Sequence, residues 1–184
     1  MRQDPDVVMV GEMRDVETAQ IGIQASLTGH LVLSTVHTNS AIAAITRLRD
    51  MGIESFLLAS SLRTIISQRL VRRICTNCRT EVTPSSEAIK LLNLDPKQKT
   101  YTSLGCESCS HTGYQGRIAI AECIQIDKKI KDMIHENASE NEISDYVFKD
   151  NPSIDDASKN LVVNGITSCE ELIRINNLKE DADI

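Results

Sequence analysis

Residues 7–36, VVMVGEMRDVETAQIGIQASLTGHLVLSTV, decide the fold class. Val7-Val8-Met9-Val10 is a short unbroken apolar run closed by Gly11, the pattern of a strand buried on both faces as in a parallel sheet. Asp15 is a helix N-cap, because its short carboxylate can accept from the free N–H groups of the first turn. Val16, Ala19, Ile23 and Leu27 then recur at helical spacing, and Gly29 sits where a left-handed C-terminal stop belongs. Leu31–Val36 (LVLSTV) predicts a second strand. Asn39 or Ser40 can cap the next helix, whose face is Ile42, Ile45 and Leu48 and whose end is Gly52. Strand-helix-strand-helix alternation predicts an α/β fold with a doubly wound layer.

Beyond this core, Leu58, Leu62, Ile65, Ile66, Arg69 and Leu70 keep helical register and predict a helix from Ser55 to Arg72. Residues 75–109 change character, with two cysteine pairs around a polar stretch containing Pro84 and Pro96. Gly113 to Ile126 reads as strand or hairpin, and the chain beyond residue 127 is helical and acidic.

The 184 residues suffice for one domain, or for part of one carrying a small module. With 41% apolar but only 3% aromatic residues, the core must be built mainly from Ile, Leu, Val and Ala. No apolar run approaches the roughly 18 residues that cross a bilayer, and Arg2, Asp4 and Asp6 stand where a signal peptide needs an apolar segment. A cytoplasmic protein that does not span the membrane is expected. Residues 1–126 hold 13 basic against 12 acidic side chains and residues 127–184 hold 7 against 14, a balance that argues against sequence-independent nucleic-acid binding. The exception is the local cluster Arg69, Arg72, Arg73 and Arg79.

Cys75-Thr-Asn-Cys78 and Cys106-Glu-Ser-Cys109 give C-x2-C twice, the arrangement by which two knuckles present four thiolates to a tetrahedral structural zinc. The 27 residues between the pairs exceed the usual loop, yet closure entropy grows only logarithmically and the excess costs about 0.4 kcal/mol. Structural zinc binding contributes on the order of 10 kcal/mol, so the metal dominates. Two disulfides or four unrelated thiols are the alternative. Cys123 and Cys169 fall outside the pattern and read as buried small side chains. Glu12 follows the first strand at its carboxyl end, where open α/β sheets place ligands. A carboxylate there could orient or deprotonate a water attacking a γ-phosphate, or hold Mg2+ through water; a solvated acid paired with Arg14 is the plainer alternative. His30 and His37 bracket the second strand, roughly 23 Å apart if it is continuous, so they cannot share one phosphate. His37, at the carboxyl end, is placed to face a phosphate, and His30 to fix the start of the strand.

Met1-Arg2-x-x-Pro5-Asp6-x-Val8-Met9-Val10-Gly11-Glu12-Met13-Arg14-Asp15 matches throughout the signature of the type II secretion protein E family of ATPases, which includes type IV pilus assembly ATPases. TGHLVLSTVHTNSA (Thr28 to Ala41) resembles that family's histidine box, followed by Gln68-Arg69-Leu70 and the four cysteines. The resemblance implies the C-terminal part of a RecA-like P-loop ATPase core with a four-Cys zinc module and a helical C-terminal tail. Its segments would be residues 1–73 of the ATPase domain, the zinc module at 74–112, and remaining core strands and helices at 113–184. It implies ATP and Mg2+ as ligands, Glu12 as the Walker B glutamate, His37 as the histidine facing nucleotide, Arg14 and Arg69 as nucleotide contacts, and Zn2+ on Cys75, Cys78, Cys106 and Cys109. It further implies a homo-hexamer acting on secretion platform proteins, peripheral to the inner membrane. Thr-Asn-Ser-Ala favours type II secretion through pseudopilus assembly over pilus extension.

One departure stands out: none of the eight glycines is followed by lysine, so the G-x4-G-K-[ST] phosphate loop is not among these residues. A fragment whose first strand has lost its sheet neighbours is therefore expected, with an apolar edge prone to aggregation. A nucleotide-dead interaction module built on the zinc unit and acidic tail, and a nucleic-acid-binding zinc ribbon, are the competing functions.

Overall fold

The computed structural model describes residues 5–180, so the Met1-Arg2 opening of the signature and the acidic end beyond 180 lie outside the described residues. In chain order the elements are β1 (Val7–Val10), α1 (Val16–Leu27), β2 (Leu31–Ser34), α2 (Ala43–Asp50), α3 (Ser55–Ser61), β3 (Thr64–Ile74), β4 (Arg79–Val82), α4 (Ser86–Leu92), β5 (Thr100–Ser103), β6 (Tyr114–Gln125), α5 (Lys128–His135), α6 (Glu140–Val147), α7 (Ile154–Val163) and α8 (Cys169–Glu180). The chain divides into two compact units, Met1–Ser67 with Cys123–Asn151 and Gln68–Glu122 with Pro152–Ile184. Both units are discontinuous in sequence.

In the first unit β1 pairs with β2 in parallel, Val7 opposite Leu31 and Val10 opposite Ser34. The βα pattern is as expected: Asp15 Oδ1 accepts from the Thr18 N–H at 2.8 Å, and Gly29 turns the chain out of α1 at φ +101°. Ser40 Oγ accepts from the Ala43 N–H at 3.1 Å at the start of α2, and Ile42, Ile45 and Leu48 are all buried. Two expectations fail here. The strand predicted to be buried on both faces exposes Val7 and Met9 at 53% and 76%, beside Leu31 and Leu33 on β2, because among the described residues only two strands form this sheet. The face of α1 is also narrower than predicted, with Ala19 and Ile23 inside and Val16 and Leu27 outside. The core comprises Ile45, Leu58, Ile124, Ile134 and Ile143, with α3 packed on α5.

The helix predicted from Ser55 to Arg72 is instead α3 followed by β3. Leu62 leaves the helix at ψ 133°, and after Arg63 the residues Thr64-Ile65-Ile66 are β-branched and favour extended backbone. Their burial alternates with period two, ending at Val71, which is fully buried, so Ile66 and Leu70 lie on the exposed side although their spacing also fits a helix. β3 pairs with β6, the strand expected between Gly113 and Ile126.

In the second unit β4 and β5 pair antiparallel, Arg79 opposite Ser103 and Val82 opposite Thr100. Helix α4 is capped by Ser85, and α7 by a reciprocal box between Ser153 and Asp156. Val71, Ala88, Leu92, Ile120, Val162 and Leu172 fill its core. Cys169 is buried as expected, but Cys123 is exposed, because it falls on the outer side of β6.

Candidate functional site

Two constellations carry chemistry. The first lies just past the carboxyl ends of β1 and β2. Met13 N–H donates to Thr35 O at 2.9 Å, and the Thr35 hydroxyl to Gly11 O at 2.8 Å, so the two strand exits are tied together around Glu12. Arg14 Nη2 stands 2.7 Å from Glu12 Oε2, and His37 Nε2 stands 3.3 Å from Glu12 Oε1. Two residues singled out from the sequence, Arg14 and His37, thus converge on the carboxylate of a third, Glu12. The hydrogen bond from Arg14 holds the Glu12 carboxyl below the ordinary carboxylate range, against a smaller opposing effect of desolvation. An ionised carboxylate keeps free lone pairs for a water or a hydrated cation. His30 is on the opposite side of β2, its Nδ1 3.0 Å from Ala25 O and 3.1 Å from the Thr28 hydroxyl, where it fixes the start of that strand. Arg69 belongs to the second unit; burial lowers its pKa while Asp155 and Glu122 partly restore it.

The second constellation is in the second unit. Cys75 follows β3, Cys78 precedes β4, Cys106 caps the start of a single 3-10 turn at Glu107–Cys109, and Cys109 ends it. Their sulfurs lie 3.9 Å apart for Cys75 and Cys106, 3.9 Å for Cys78 and Cys109, and 3.8 Å for Cys106 and Cys109, all four within 4.8 Å of one another. Four sulfurs at the zinc–thiolate distance of about 2.3 Å form a tetrahedron with an edge of about 3.8 Å. All four are free thiols, not disulfides. The N–H groups of Cys106 and Gly113 point at Cys109 Sγ from 3.2 and 3.3 Å, which stabilises a thiolate, and Asn77 Nδ2 donates to Ser108 Oγ at 2.9 Å between the knuckles. Burial and the neighbouring thiols push Cys78 up to about 12, whereas the Cys106 N–H above all draws Cys109 down to about 6. A soft divalent cation at the centre would hold all four as thiolates, and the donor set fits zinc in a closed site with no position left for substrate.

The basic cluster is partly consumed by the fold. Arg72 lies 4.1 Å over the Tyr114 ring and pairs with Glu171, while Arg79 donates to Gly165 O and lies 5.0 Å over the Tyr101 ring. Glu171 was missed from sequence. It is fully buried, and its only local signal is the capping-box pattern Ser168-x-x-Glu171.

Residues 1–174 match the family described as Type II/IV secretion system protein. The chain belongs to this family. Type II secretion system protein E of Aeromonas hydrophila is 51% identical over 177 residues, which are 95% of this chain and 35% of that protein. Type II secretion system ATPase E of Vibrio cholerae is 49% identical over the same shares. The chain therefore spans about a third of the length of these relatives. Among solved structures, the pilus retraction motor PilT with bound ADP is similar at a TM-score of 0.62 and 27% identity, over 92% of this chain and 39% of that one. The Legionella pneumophila ATPase DotB is similar in fold at a TM-score of 0.64 and 21% identity, over 96% and 40%. No helix among the described residues is long and apolar enough to cross a membrane.

Proposed function

We propose that this chain supplies the γ-phosphate side of a secretion motor ATPase, with Glu12 as the carboxylate that orients the attacking water or the hydrated Mg2+ and His37 as the residue facing the γ-phosphate. The observation that carries this reading is the approach of His37, Arg14 and Glu12 within 3.3 Å at the carboxyl ends of two parallel strands. Arg14 acts as a switchable partner of Glu12, exchanging its carboxylate for phosphate oxygens when nucleotide is present. Arg69 contributes a second cation to nucleotide binding. In the complete motor six copies act together on platform proteins at the inner membrane, from the cytoplasm. Zinc on Cys75, Cys78, Cys106 and Cys109 is structural and takes no part in hydrolysis.

The names of the relatives at about 50% identity favour type II secretion over pilus extension. A nucleotide-dead interaction module is disfavoured because Glu12 and His37 are placed together, an arrangement such a module does not need. A nucleic-acid ribbon is disfavoured because Arg72 and Arg79 are engaged internally.

The test is a chimera in which this chain replaces the matching 177-residue region of the Aeromonas protein. Mg-ATP turnover by the chimera is expected to fall at least about 100-fold on Glu12→Gln, in line with loss of a water-orienting group. Undiminished turnover in that variant would remove Glu12 from the reaction.

A further inference from the structure

The buried carboxylate of Glu171 plays no part in the proposed hydrolysis, yet five donor contacts from two arginines converge on it. It accepts from the Arg72 N–H at 3.0 Å, Arg72 Nε at 2.8 Å and Arg72 Nη2 at 2.6 Å, and from Arg174 Nε and Nη2, both at 2.9 Å. In a capping box this side chain would turn back to the backbone N–H of Ser168. Here it reaches across to Arg72, three residues before Cys75. Such ion networks add little net stability compared with apolar packing, but they fix geometry.

The surrounding bonds show which geometry is fixed. Ser168 Oγ accepts from the Glu171 N–H and lies 2.7 Å from the Tyr114 hydroxyl. Thr167 donates to Arg72 O at 2.8 Å, the Ile74 N–H donates to Ile166 O at 2.9 Å, and Arg79 Nη1 donates to Gly165 O at 2.8 Å. The first knuckle, Cys75 to Cys78, is therefore held on both flanks by the segment Gly165–Glu171. The second knuckle is reached through Tyr114: the preceding Gly113 donates its N–H to Cys109 Sγ and accepts the Cys75 N–H at 2.9 Å, and the Tyr114 ring lies under Arg72.

We infer that Glu171 is a positioning residue of the four-cysteine metal centre: through Arg72 and Tyr114 it holds the segments that deliver all four thiolates, so metal binding and docking of the start of α8 are coupled. The inference rests on the reading of the four cysteines as a metal site. Coupling is reciprocal, so the factor by which Glu171 tightens metal binding is the factor by which metal tightens the docking of residues 165–174.

The experiment uses the whole 184-residue chain with Zn2+ as probe. Zinc affinity is measured by competition with a chromophoric chelator, and hydrogen exchange of residues 165–174 is followed with and without zinc. Glu171→Gln is expected to weaken zinc binding about tenfold, and zinc to slow exchange in this segment by at least that factor. Tyr114→Phe, which keeps the ring under Arg72 and removes only the bond to Ser168, is expected to weaken it about threefold, and decides the matter should Glu171→Gln fail to fold. Ser85→Ala removes the cap of α4 in the same unit and is expected to leave zinc affinity within about twofold, separating positioning from general destabilisation. A wild-type chain that does not bind zinc overturns the metal reading and the coupling with it. Wild-type zinc binding that is unchanged in both variants, or exchange in residues 165–174 indifferent to zinc, overturns the coupling alone.

Discussion

Replacing Gly165 by alanine tests the rigidity of this cradle. Gly165 has φ +63°, and a Cβ built on it would lie 2.6, 2.8 and 3.0 Å from three atoms of the Tyr101 ring. The left-handed conformation costs an L side chain about 1 kcal/mol. Overpacking against the ring adds about 1–3 kcal/mol, and the Arg79 guanidinium, 5.0 Å from the ring centroid, restricts where the ring can move. The lower entropy of the unfolded chain returns about 0.5 kcal/mol. The net expectation is a loss of about 2.5 kcal/mol, read as a fall of about 1.2 M in the urea midpoint of the second unit at an m-value of about 2 kcal/mol/M. Gly116→Ala is the control, since Gly116 has φ +72° and nothing within 4 Å of a built Cβ; it should show only the backbone loss less the same entropy return, about 0.5 kcal/mol. In a double-mutant cycle Tyr101→Ala should recover the difference, about 2 kcal/mol. Equal losses at Gly165 and Gly116 would refute the reasoning, because Tyr101 would then be free to move and the contact would hold nothing.

Further predictions follow from the two constellations. With zinc on the four cysteines, as proposed, its removal by a chelator, confirmed by elemental analysis, would withdraw about 10 kcal/mol from a unit whose total stability is of the order of 5–15 kcal/mol, so its protected amides should exchange as if unfolded; retained protection would mean that the cysteines are not a folding centre. Arg14→Ala should raise the Glu12 titration midpoint, followed by carboxyl NMR, towards the ordinary range, because the hydrogen bond from Arg14 is the largest influence on it. Burial alone would raise Glu171, but its hydrogen bonds from Arg174 and Arg72 hold it at about 2 against an ordinary 4.5. Being depressed, it contributes stability that is complete above about pH 4.5 and is lost as pH falls through about 2, so the stability gap between wild type and Glu171→Gln should be level from pH 5 to 8 and close on acidification. A gap that stays open at pH 2 would show that the carboxylate is not the source.

The parts legible in the sequence are those whose physics is local. Two residues between cysteines fix each knuckle, and the sulfurs meet at tetrahedral spacing. Asp15, Ser40, Gly29 and Gly52 mark helix ends, because capping depends on neighbours within four residues. Glu12 and His37 each follow the carboxyl end of an expected strand, and the parallel pairing of β1 with β2 brings them together. Local pattern failed where two periods coincide: Ile66 and Leu70 fit a helix by spacing and a strand by alternation, and the β-branched start at Thr64 together with pairing to β6 decides it. Glu171 was illegible because its principal partner is 99 residues away. A capping-box pattern announces a helix start whether its carboxylate caps that helix or leaves it for Arg72.

The same limit applies to β1. Its apolar run predicts a buried strand, and apolar content alone cannot state how many strands will cover it. Val7 stands opposite Leu31 and Met9 opposite Leu33, and all four are at least half exposed, so one face of this two-stranded sheet presents contiguous apolar surface to solvent. Monomeric proteins rarely leave large side chains grouped in this way, and an uncovered sheet of this kind is an aggregation hazard. The isolated chain is therefore expected to self-associate in a concentration-dependent manner in sedimentation velocity experiments. Met9→Lys with Leu33→Glu places opposite charges across the strand pair, where they attract each other and repel apolar contact, without touching the buried Ala19 and Ile23 of α1. The double variant should sediment as a monomer with an unchanged circular dichroism spectrum. A wild-type chain that is monodisperse and melts cooperatively at high concentration would show that this face is not what limits solubility.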